Sequence, residues 1–259
     1  MAIMVKLDPN FWVLISAFSI ILVHSIFPVI RRMGGQASRI LNSISSGFGI
    51  THWLVFNTDS LYQYADNLHK KFYPSFKGEF LIFIFLCCVM FGFLLIHGLD
   101  TVTRFLKKNE IETPDLIYRI KLFILFLFNY SASHYIPISA HKESFEIVIY
   151  TIDCIIAYSL ADYSLSETFP DKYNFSGRLF SILGVMIGIL SGYFSPYQEH
   201  DWYMAFLDSF LMGCEMMLII TVEFSIKDTE KHYWAFLFGV IAMTTFLGSY
   251  YFANWKLLI

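Results

Sequence analysis

The chain has 259 residues, of which 56% are hydrophobic and 19% aromatic, while only 15% are charged. Soluble domains carry about a quarter charged residues, so this composition argues against an ordinary soluble protein and is typical of one embedded in lipid. The formal net charge of −3 is small and spread along the chain, so no nucleic-acid partner is expected.

Eight apolar runs follow one another along the chain, each near the length of about 20 residues that a helix needs to cross a bilayer. The first run lacks a preceding basic region and a following cleavage site, so it is predicted to be a span. We therefore predict an all-α fold, a polytopic transmembrane bundle of eight helices forming a single domain over residues 1–259. The predicted spans are about 11–30, 40–57, 79–99, 117–138, 145–164, 176–194, 203–225 and 233–252.

The connections between the runs predict how the chain is oriented. Twelve of the eighteen Lys and Arg residues fall in the odd-numbered connections, which places those connections in the cytoplasm and both termini outside it. The polar segment 100–116 divides three spans from the other five and is predicted to be a cytoplasmic loop. The aromatic connection 57–78 is predicted to carry a short helix in the outer interface.

The fourth run becomes polar where it should lie deepest in the membrane. From Lys121 to Ser139 it reads KLFILFLFNYSASHYIPIS. Polar side chains at that depth find no hydrogen-bond partners in lipid and normally face a protein interior or a water-filled cavity. This helix is therefore predicted to line a central site.

Mid-span titratable residues are the candidates for that site. His52, Asp153 and Glu215 each fall near the middle of a span, and with Asn129 and His134 they supply atoms suited to a divalent cation or a proton relay. The alternative is a buried polar cluster that only fastens the helices together. Helical geometry separates some of the candidates, since Asn129 and His134 diverge by about 140° around their helix.

Further pairings follow from the same geometry. Asp208 and Glu215 are seven residues apart and share a helix face, whereas Glu215 and Glu223 are about 12 Å apart along the axis, too far to chelate one ion. Near the ends of spans, Asp162 and Asp208 are expected to be solvated.

Two further features are interpreted as packing. His24 is expected to be a hydrogen-bonded packing residue of the first span. Gly184, Gly188 and Gly192 form a GxxxGxxxG pattern that permits close helix approach.

Several local motifs resemble the ZIP family of divalent metal transporters. Gly47 precedes His52-Trp53-Leu54 as a similar Gly and His-Leu pair do in the second span of that family. The stretch from Phe128 to Ser133 is similar to its His-Asn-Phe-Ser-Asp-Gly motif, with Phe128 and Ala132 at the His and Asp ligand positions. Asp153 stands where the fifth span has ligands, and Gly213 followed by Glu223 resembles the seventh.

The resemblance implies a fold, a function and a site. The fold would be the ZIP-like 3+2+3 arrangement of eight spans with both termini non-cytoplasmic. The function would be transport of a divalent cation of the zinc or iron type through a reduced or altered metal site. Span position and the resemblance together give the predicted metal ligands, which are His52, Asn129, His134, Asp153, Glu215 and Glu223.

Two other functions stay open from the sequence. One is a transport-inactive ZIP-like subunit that binds a partner protein or lipid, with a homodimer or another membrane protein as partner. The other is an intramembrane enzyme, for which neither HExxH nor GxSxG is present in the chain, so no catalytic activity is predicted. The charge bias suits a bacterial inner membrane.

Overall fold

The computed structural model describes residues 8–32, 35–71, 77–140, 144–195, 202–225 and 232–255. Within these ranges the chain is almost entirely helical and contains no strand. The all-α prediction is confirmed, because each long apolar run satisfies its own backbone hydrogen bonds as a helix.

The helices begin and end close to the predicted bounds. They are α1 (Pro9–Arg32), α2 (Gly35–His52), α3 (Thr58–Lys71), α4 (Gly78–Lys108), α5 (Asp115–Ala140), α6 (Ser144–Thr168), α7 (Phe175–Phe194), α8 (Trp202–Ser225) and α9 (Tyr233–Trp255). A π-helical turn, Trp53–Asn57, joins α2 to α3 without a break. The described residues therefore form eight continuous helical segments, as predicted.

Five of these helices contain a stretch long and apolar enough to cross a membrane, judged by length and composition. The stretches are Pro9–Ile26, Gly78–Lys108, Asp115–Ser139, Phe175–Phe194 and Trp202–Val222. A shorter apolar stretch, Tyr233–Gly248, lies in α9. The outer surface of the bundle carries many large apolar side chains, including Phe91, Phe194 and Trp234, as a lipid-facing surface would.

The predicted loop 100–116 is much shorter in the structure. Helix α4 continues to Lys108 and α5 begins at Asp115, which leaves only residues 109–114 between them. The helix ends there because Glu110 adopts a left-handed backbone with φ of 57°, a conformation that no helix accommodates. Asp100 consequently lies inside a helix rather than in a loop.

The turn between α6 and α7 is tied to that short loop by Lys172. Its ammonium donates to the Asp115 carboxylate at 2.5 Å and to the carbonyl oxygen of Thr113 at 3.2 Å. The hydrogen bond to Asp115 raises the pKa of Lys172 above its ordinary value. The Tyr118 hydroxyl donates in turn to the Lys172 carbonyl oxygen at 2.9 Å, so both connections are held at one end of the bundle.

Glycines bring α5 and α7 into close contact. A methyl group on any glycine of the GxxxGxxxG pattern would collide with an α5 carbonyl oxygen. The separations would be 2.7 Å for Gly184 and Phe126, 2.3 Å for Gly188 and Tyr130, and 2.2 Å for Gly192 and His134. This confirms the predicted close helix approach and fixes which face of α5 turns toward α7.

Candidate functional site: a polar column beside α8

Asp208 is buried, and both of its carboxylate oxygens accept hydrogen bonds from hydroxyl groups. The Tyr64 and Tyr135 hydroxyls donate to its Oδ2 at 3.0 and 2.6 Å, and the Ser131 hydroxyl donates to its Oδ1. Only 6% of Asp208 is exposed, so the expectation of a solvated helix end is wrong. The reason is α3, which continues past the π-helical turn and brings Tyr64 over the start of α8.

This hydroxyl set determines the chemistry of Asp208. A carboxylate in an apolar interior must be hydrogen-bonded or take up a proton. Three donors from α3 and α5 support the charged form, while each hydroxyl can also accept a proton and pass its own onward. Asp208 with Tyr64, Tyr135 and Ser131 thus forms a hydrogen-bonded cluster of groups that can exchange protons.

Glu215 forms the second polar level, two turns further along α8. The side-chain amide of Asn57 donates to its Oε2 at 3.1 Å, and 8% of Glu215 is exposed. Asn57 is the last residue of the π-helical turn, whose first residue, Trp53, donates its indole N–H to the carbonyl oxygen of Met212 at 2.8 Å. The turn is therefore attached to α8 at Met212 and at Glu215 itself, and π-helical turns often mark functional sites.

Asp100 and Lys121 form the third level as a buried ion pair. Their side chains are in direct contact and only 8% and 7% exposed. The Thr221 hydroxyl donates to the other carboxylate oxygen of Asp100 at 3.1 Å. The pair joins α4, α5 and α8 at the end of the bundle opposite Asp208, and mutual compensation lets both charges stay buried.

A cavity connects the second level to the third. It has a volume of about 60 Å³, and Asp100, Lys121 and Glu215 all line it. Its other walls are mostly apolar and include Phe128 and Leu218. At roughly 15 Å³ for each water this space holds about four molecules.

We call this set of residues the polar column. Asp208, Glu215 and Thr221 succeed one another on α8, and at 1.5 Å per residue the column is about 20 Å long. That length is about two-thirds of a hydrocarbon core of about 30 Å. Its members are Asn57, Tyr64, Asp100, Lys121, Ser131, Tyr135, Asp208, Glu215 and Thr221.

A separate buried cluster joins α1 to α6. His24 Nδ1 and Asp162 Oδ2 are 2.8 Å apart, both residues are fully buried, and the Tyr173 hydroxyl donates to the other Asp162 oxygen. The His24 ring stacks on Tyr158. The packing interpretation of His24 is confirmed, and the expectation that Asp162 is solvated is wrong, because α1 and the turn after α6 cover it.

Asn129 and His134 face α7 rather than the column. A methyl group on Gly184 would lie 3.1 Å from Asn129 Cβ, and His134 Nδ1 lies 3.2 Å from the Ser191 hydroxyl. Asn129 is fully buried, and within the described ranges neither polar atom of its side chain has a hydrogen-bond partner. On another face of α5, Ser131 and Tyr135 contact Asp208 of the polar column, and the prediction that this helix lines a central site stays a prediction.

The remaining predicted ligands do not assemble around one point in the part of the chain that is described. His52 is buried and stacks on Phe56 with ring centroids 5.1 Å apart. The side chains of Asp153 and Glu223 lie outside the described residues. Among the side chains that the structure describes, no group of three or more His, Cys, Asp or Glu is placed to hold a metal ion. The metal-ligand roles stay a prediction.

Most residues of the polar column could not be predicted from their positions relative to the predicted spans. Asp100 lay at the edge of a predicted loop, Lys121 near the start of the fourth predicted span, and Asn57 and Tyr64 in a predicted connection. One signal did point to the column, the seven-residue spacing of Asp208 and Glu215 on one helix face. Comparison of the chain with protein-family models, with curated proteins and with solved structures gave no match.

Proposed function

We propose that this chain is a multi-pass membrane transport protein whose polar column carries protons. One observation supports the proposal above all: three buried carboxylates succeed one another over about 20 Å of the bundle. Ionisable residues inside membrane helices are costly and usually mark ion paths or proton relays. A purely structural role would not need carboxylates at three successive depths.

The spacing favours protons over a chelated metal ion. Asp208 and Glu215 are about 10 Å apart along α8, and Glu215 and Thr221 about 9 Å, so successive levels cannot share one cation. Each carboxylate instead has hydrogen-bond donors as partners: hydroxyls, which can pass a proton, at Asp208, an amide N–H, which only donates a hydrogen bond, at Glu215, and an ammonium and a hydroxyl at Asp100. These are the parts of a relay rather than of a coordination shell.

Proton movement between the lower two levels is supported by the cavity. Water molecules in it would bridge Glu215 to Asp100 and Lys121, which all line the same space. Between Asp208 and Glu215 the attachment of the π-helical turn to α8 would have to shift, because Asn57 and Trp53 occupy that interval. Opening of this turn is the step that would couple proton movement to a conformational change.

The membrane setting completes the proposal. The eight helical segments would all span, with both termini outside the cytoplasm, because the Lys and Arg bias favours that orientation. A bacterial inner membrane suits this bias. Divalent-cation transport and a transport-inactive subunit bound to a partner protein or lipid remain competing predictions.

Proton flux into liposomes tests the proposal. Full-length protein is reconstituted into vesicles containing a pH-sensitive dye, and a potassium gradient with valinomycin supplies a membrane potential. The wild-type protein should acidify the lumen, whereas Glu215→Gln, which keeps the shape and removes the titratable group, should reduce the flux to that of protein-free vesicles.

The matched control is Glu79→Gln, the same chemical change at an exposed position at the start of α4. Its proton flux should equal that of the wild type. Equal flux from Glu215→Gln and the wild type would overturn the proton relay. Uptake of zinc or iron by the same vesicles, without proton flux, would favour the divalent-cation prediction instead.

A further inference from the structure

We propose that the outer face of α3 is an interface for a membrane-embedded helix of another protein, one that carries a Lys or Arg near its middle. This outer face consists of Asp59, Gln63, Asp66 and Lys70, which recur at helical spacing and are all exposed. Its depth, its surroundings and its charge lead to this kind of partner. The inference rests on the crossing of the membrane by α8 and not on proton movement.

Two side-chain pairs fix how α3 runs beside α8. Asn57, at the start of the α3 segment, pairs with Glu215, and Tyr64 pairs with Asp208. Seven residues forward along α3 therefore correspond to seven residues backward along α8. The two helices are antiparallel and keep a constant register over this interval, so each residue of α3 can be assigned a depth along α8.

The register places Asp59 deep in the predicted membrane. It brings Asp59 to the level of Gly213, which lies about 16 Å along α8 from Trp202. The apolar stretch of α8 that is long enough to cross a membrane covers Trp202–Val222, 21 residues. Asp59 thus lies near the middle of that stretch, although its side chain is on the outside of the bundle.

The surface beside Asp59 is apolar at that depth. Helix α4 lies against α8 there, since a methyl group on Gly213 would lie 1.8 Å from the Val89 carbonyl oxygen. On either side of Val89, Leu86 and Met90 are exposed, as residues that contact hydrocarbon would be. A carboxylate beside them finds no hydrogen-bond partner in lipid, and a water-filled groove would not have such apolar neighbours. A covering helix resolves this conflict.

Charge selects the kind of helix. Asp66 and Lys70 lie 2.6 Å apart and compensate each other. Asp59 accepts a hydrogen bond at 2.9 Å from the neutral side-chain amide of Gln63, and no cation among the described residues is paired with it. A carboxylate at mid-depth favours a counter-charge. The outer face therefore fits a spanning helix with a Lys or Arg at its centre.

A second copy of this chain fits the outer face less well. Two copies related by a two-fold axis along the membrane normal would place their Asp59 carboxylates opposite each other. Like charges at that depth repel, because the surroundings screen them little. The Asp66 and Lys70 side chains would likewise meet acid to acid and base to base. Charge complementarity thus favours a different protein.

Energy transfer between the full-length protein and synthetic helices in lipid vesicles provides the test. The protein carries a donor fluorophore at its N-terminus. The probes are acceptor-labelled polyleucine peptides of about 20 residues, long enough to span, with Lys, Leu or Glu at the centre, which is at mid-depth in either insertion direction. The Lys peptide should associate with the wild-type protein, whereas the Leu and Glu peptides should stay at background. Equal association of all three would overturn the inference.

Variants of Asp59 locate the interface. Asp59→Asn should weaken association of the Lys peptide by about tenfold, the effect of losing one strong interhelical hydrogen bond. Asp59→Lys should reject the Lys peptide and bind the Glu peptide. The matched control Asp171→Asn, at an exposed position in the turn after α6, should bind the Lys peptide like the wild type. Unchanged binding by both Asp59 variants would overturn the site.

Two further comparisons separate the competing explanations. Energy transfer between donor- and acceptor-labelled copies of the protein, if Asp59→Asn abolishes it, would mean that a second copy covers the outer face and would overturn the choice of partner. Association of the Lys peptide with a protein that conducts no protons would support the interface and contradict the proposed transport. Proton flux without association of the Lys peptide would overturn the interface alone.

Discussion

Helix α5 has two faces that use polar residues in opposite ways. Toward α7 its carbonyl oxygens lie against glycines at a spacing that excludes even a methyl group. Asn129 and Ser133 are buried there, and no described residue provides a hydrogen-bond partner for their side-chain atoms. Toward α4 and α8 its side chains Lys121, Ser131 and Tyr135 each contact a buried carboxylate. The face toward α7 is close-packed, with Tyr130 and His134 on the Ser191 hydroxyl as its polar contacts, whereas the other face pairs its polar side chains with carboxylates and lies beside a cavity.

The comparison teaches that burial of a polar residue in a membrane helix does not by itself mark a site. Asn129 is as deeply buried as any residue that the structure describes, yet it packs against Gly184, where an added methyl group would lie 3.1 Å from its Cβ. The paired residues of the α8 face are arranged in successive levels across the bundle, which is what a path requires. The proposed function is therefore placed in the polar column rather than on the face toward α7.

The largest expected effect comes from breaking the ion pair of the column. Lys121→Met should lower the free energy of unfolding by about 3 kcal/mol, because Asp100 is left buried without its counter-charge. Urea or thermal unfolding of the purified protein measures the change. Lys108→Met, at an exposed position near the end of α4, should change stability by less than about 0.5 kcal/mol.

A double variant tests whether the lost stability comes from the ion pair. Asp100→Asn combined with Lys121→Met should recover most of the lost stability, since neither buried charge remains. If the double variant is as unstable as Lys121→Met alone, the loss comes from packing rather than from the pair.

The second-largest effect on stability is expected at the contact between the glycines of α7 and helix α5. Gly188→Ala should cost about 2 kcal/mol, because its methyl group would lie 2.3 Å from the Tyr130 carbonyl oxygen and force the two helices apart. Gly98→Ala in α4 is the matched control, with no atom near its added methyl group, and should be neutral or stabilising by up to about 1 kcal/mol. Equal effects of the two changes in thermal unfolding would disprove the close contact of α5 and α7.

The smallest expected effect is a gain in the free energy of unfolding. Asn129→Leu should raise the free energy of unfolding by about 1 kcal/mol, because it replaces an unpaired buried amide with an apolar side chain of similar shape. A loss of stability would mean that the amide has a partner such as a bound ligand or ion. Thermal unfolding with and without zinc distinguishes these cases and tests the predicted metal role of Asn129.

Much of the fold could be predicted because hydropathy alone delimits the helices. The run predicted at 176–194 is helical over Phe175–Phe194, and the run at 203–225 over Trp202–Ser225. Apolar stretches bounded by polar residues have few alternatives to a helix in lipid. The GxxxGxxxG contact was also predictable, because its spacing places three glycines on one helix face.

The site was harder to predict because burial depends on which helices become neighbours. Asp208 lies near the start of its helix, and only the continuation of α3 past the π-helical turn covers it with Tyr64. Asp100 was likewise predicted to lie in a loop. Because α4 extends to Lys108, Asp100 is instead a buried helical residue that pairs with Lys121. Neither helix extension has a strong hydropathy signal, since both are polar on one side.

Proton flux per folded molecule, compared between Glu215→Gln and Gly188→Ala in the same liposomes, tests the central claim most directly. Glu215→Gln should fold as well as the wild type and conduct no protons above the background. Gly188→Ala should yield less folded protein, but each folded molecule should conduct at the wild-type rate. Normal flux through Glu215→Gln together with loss of flux per folded molecule in Gly188→Ala would contradict the assignment of function to the α8 face.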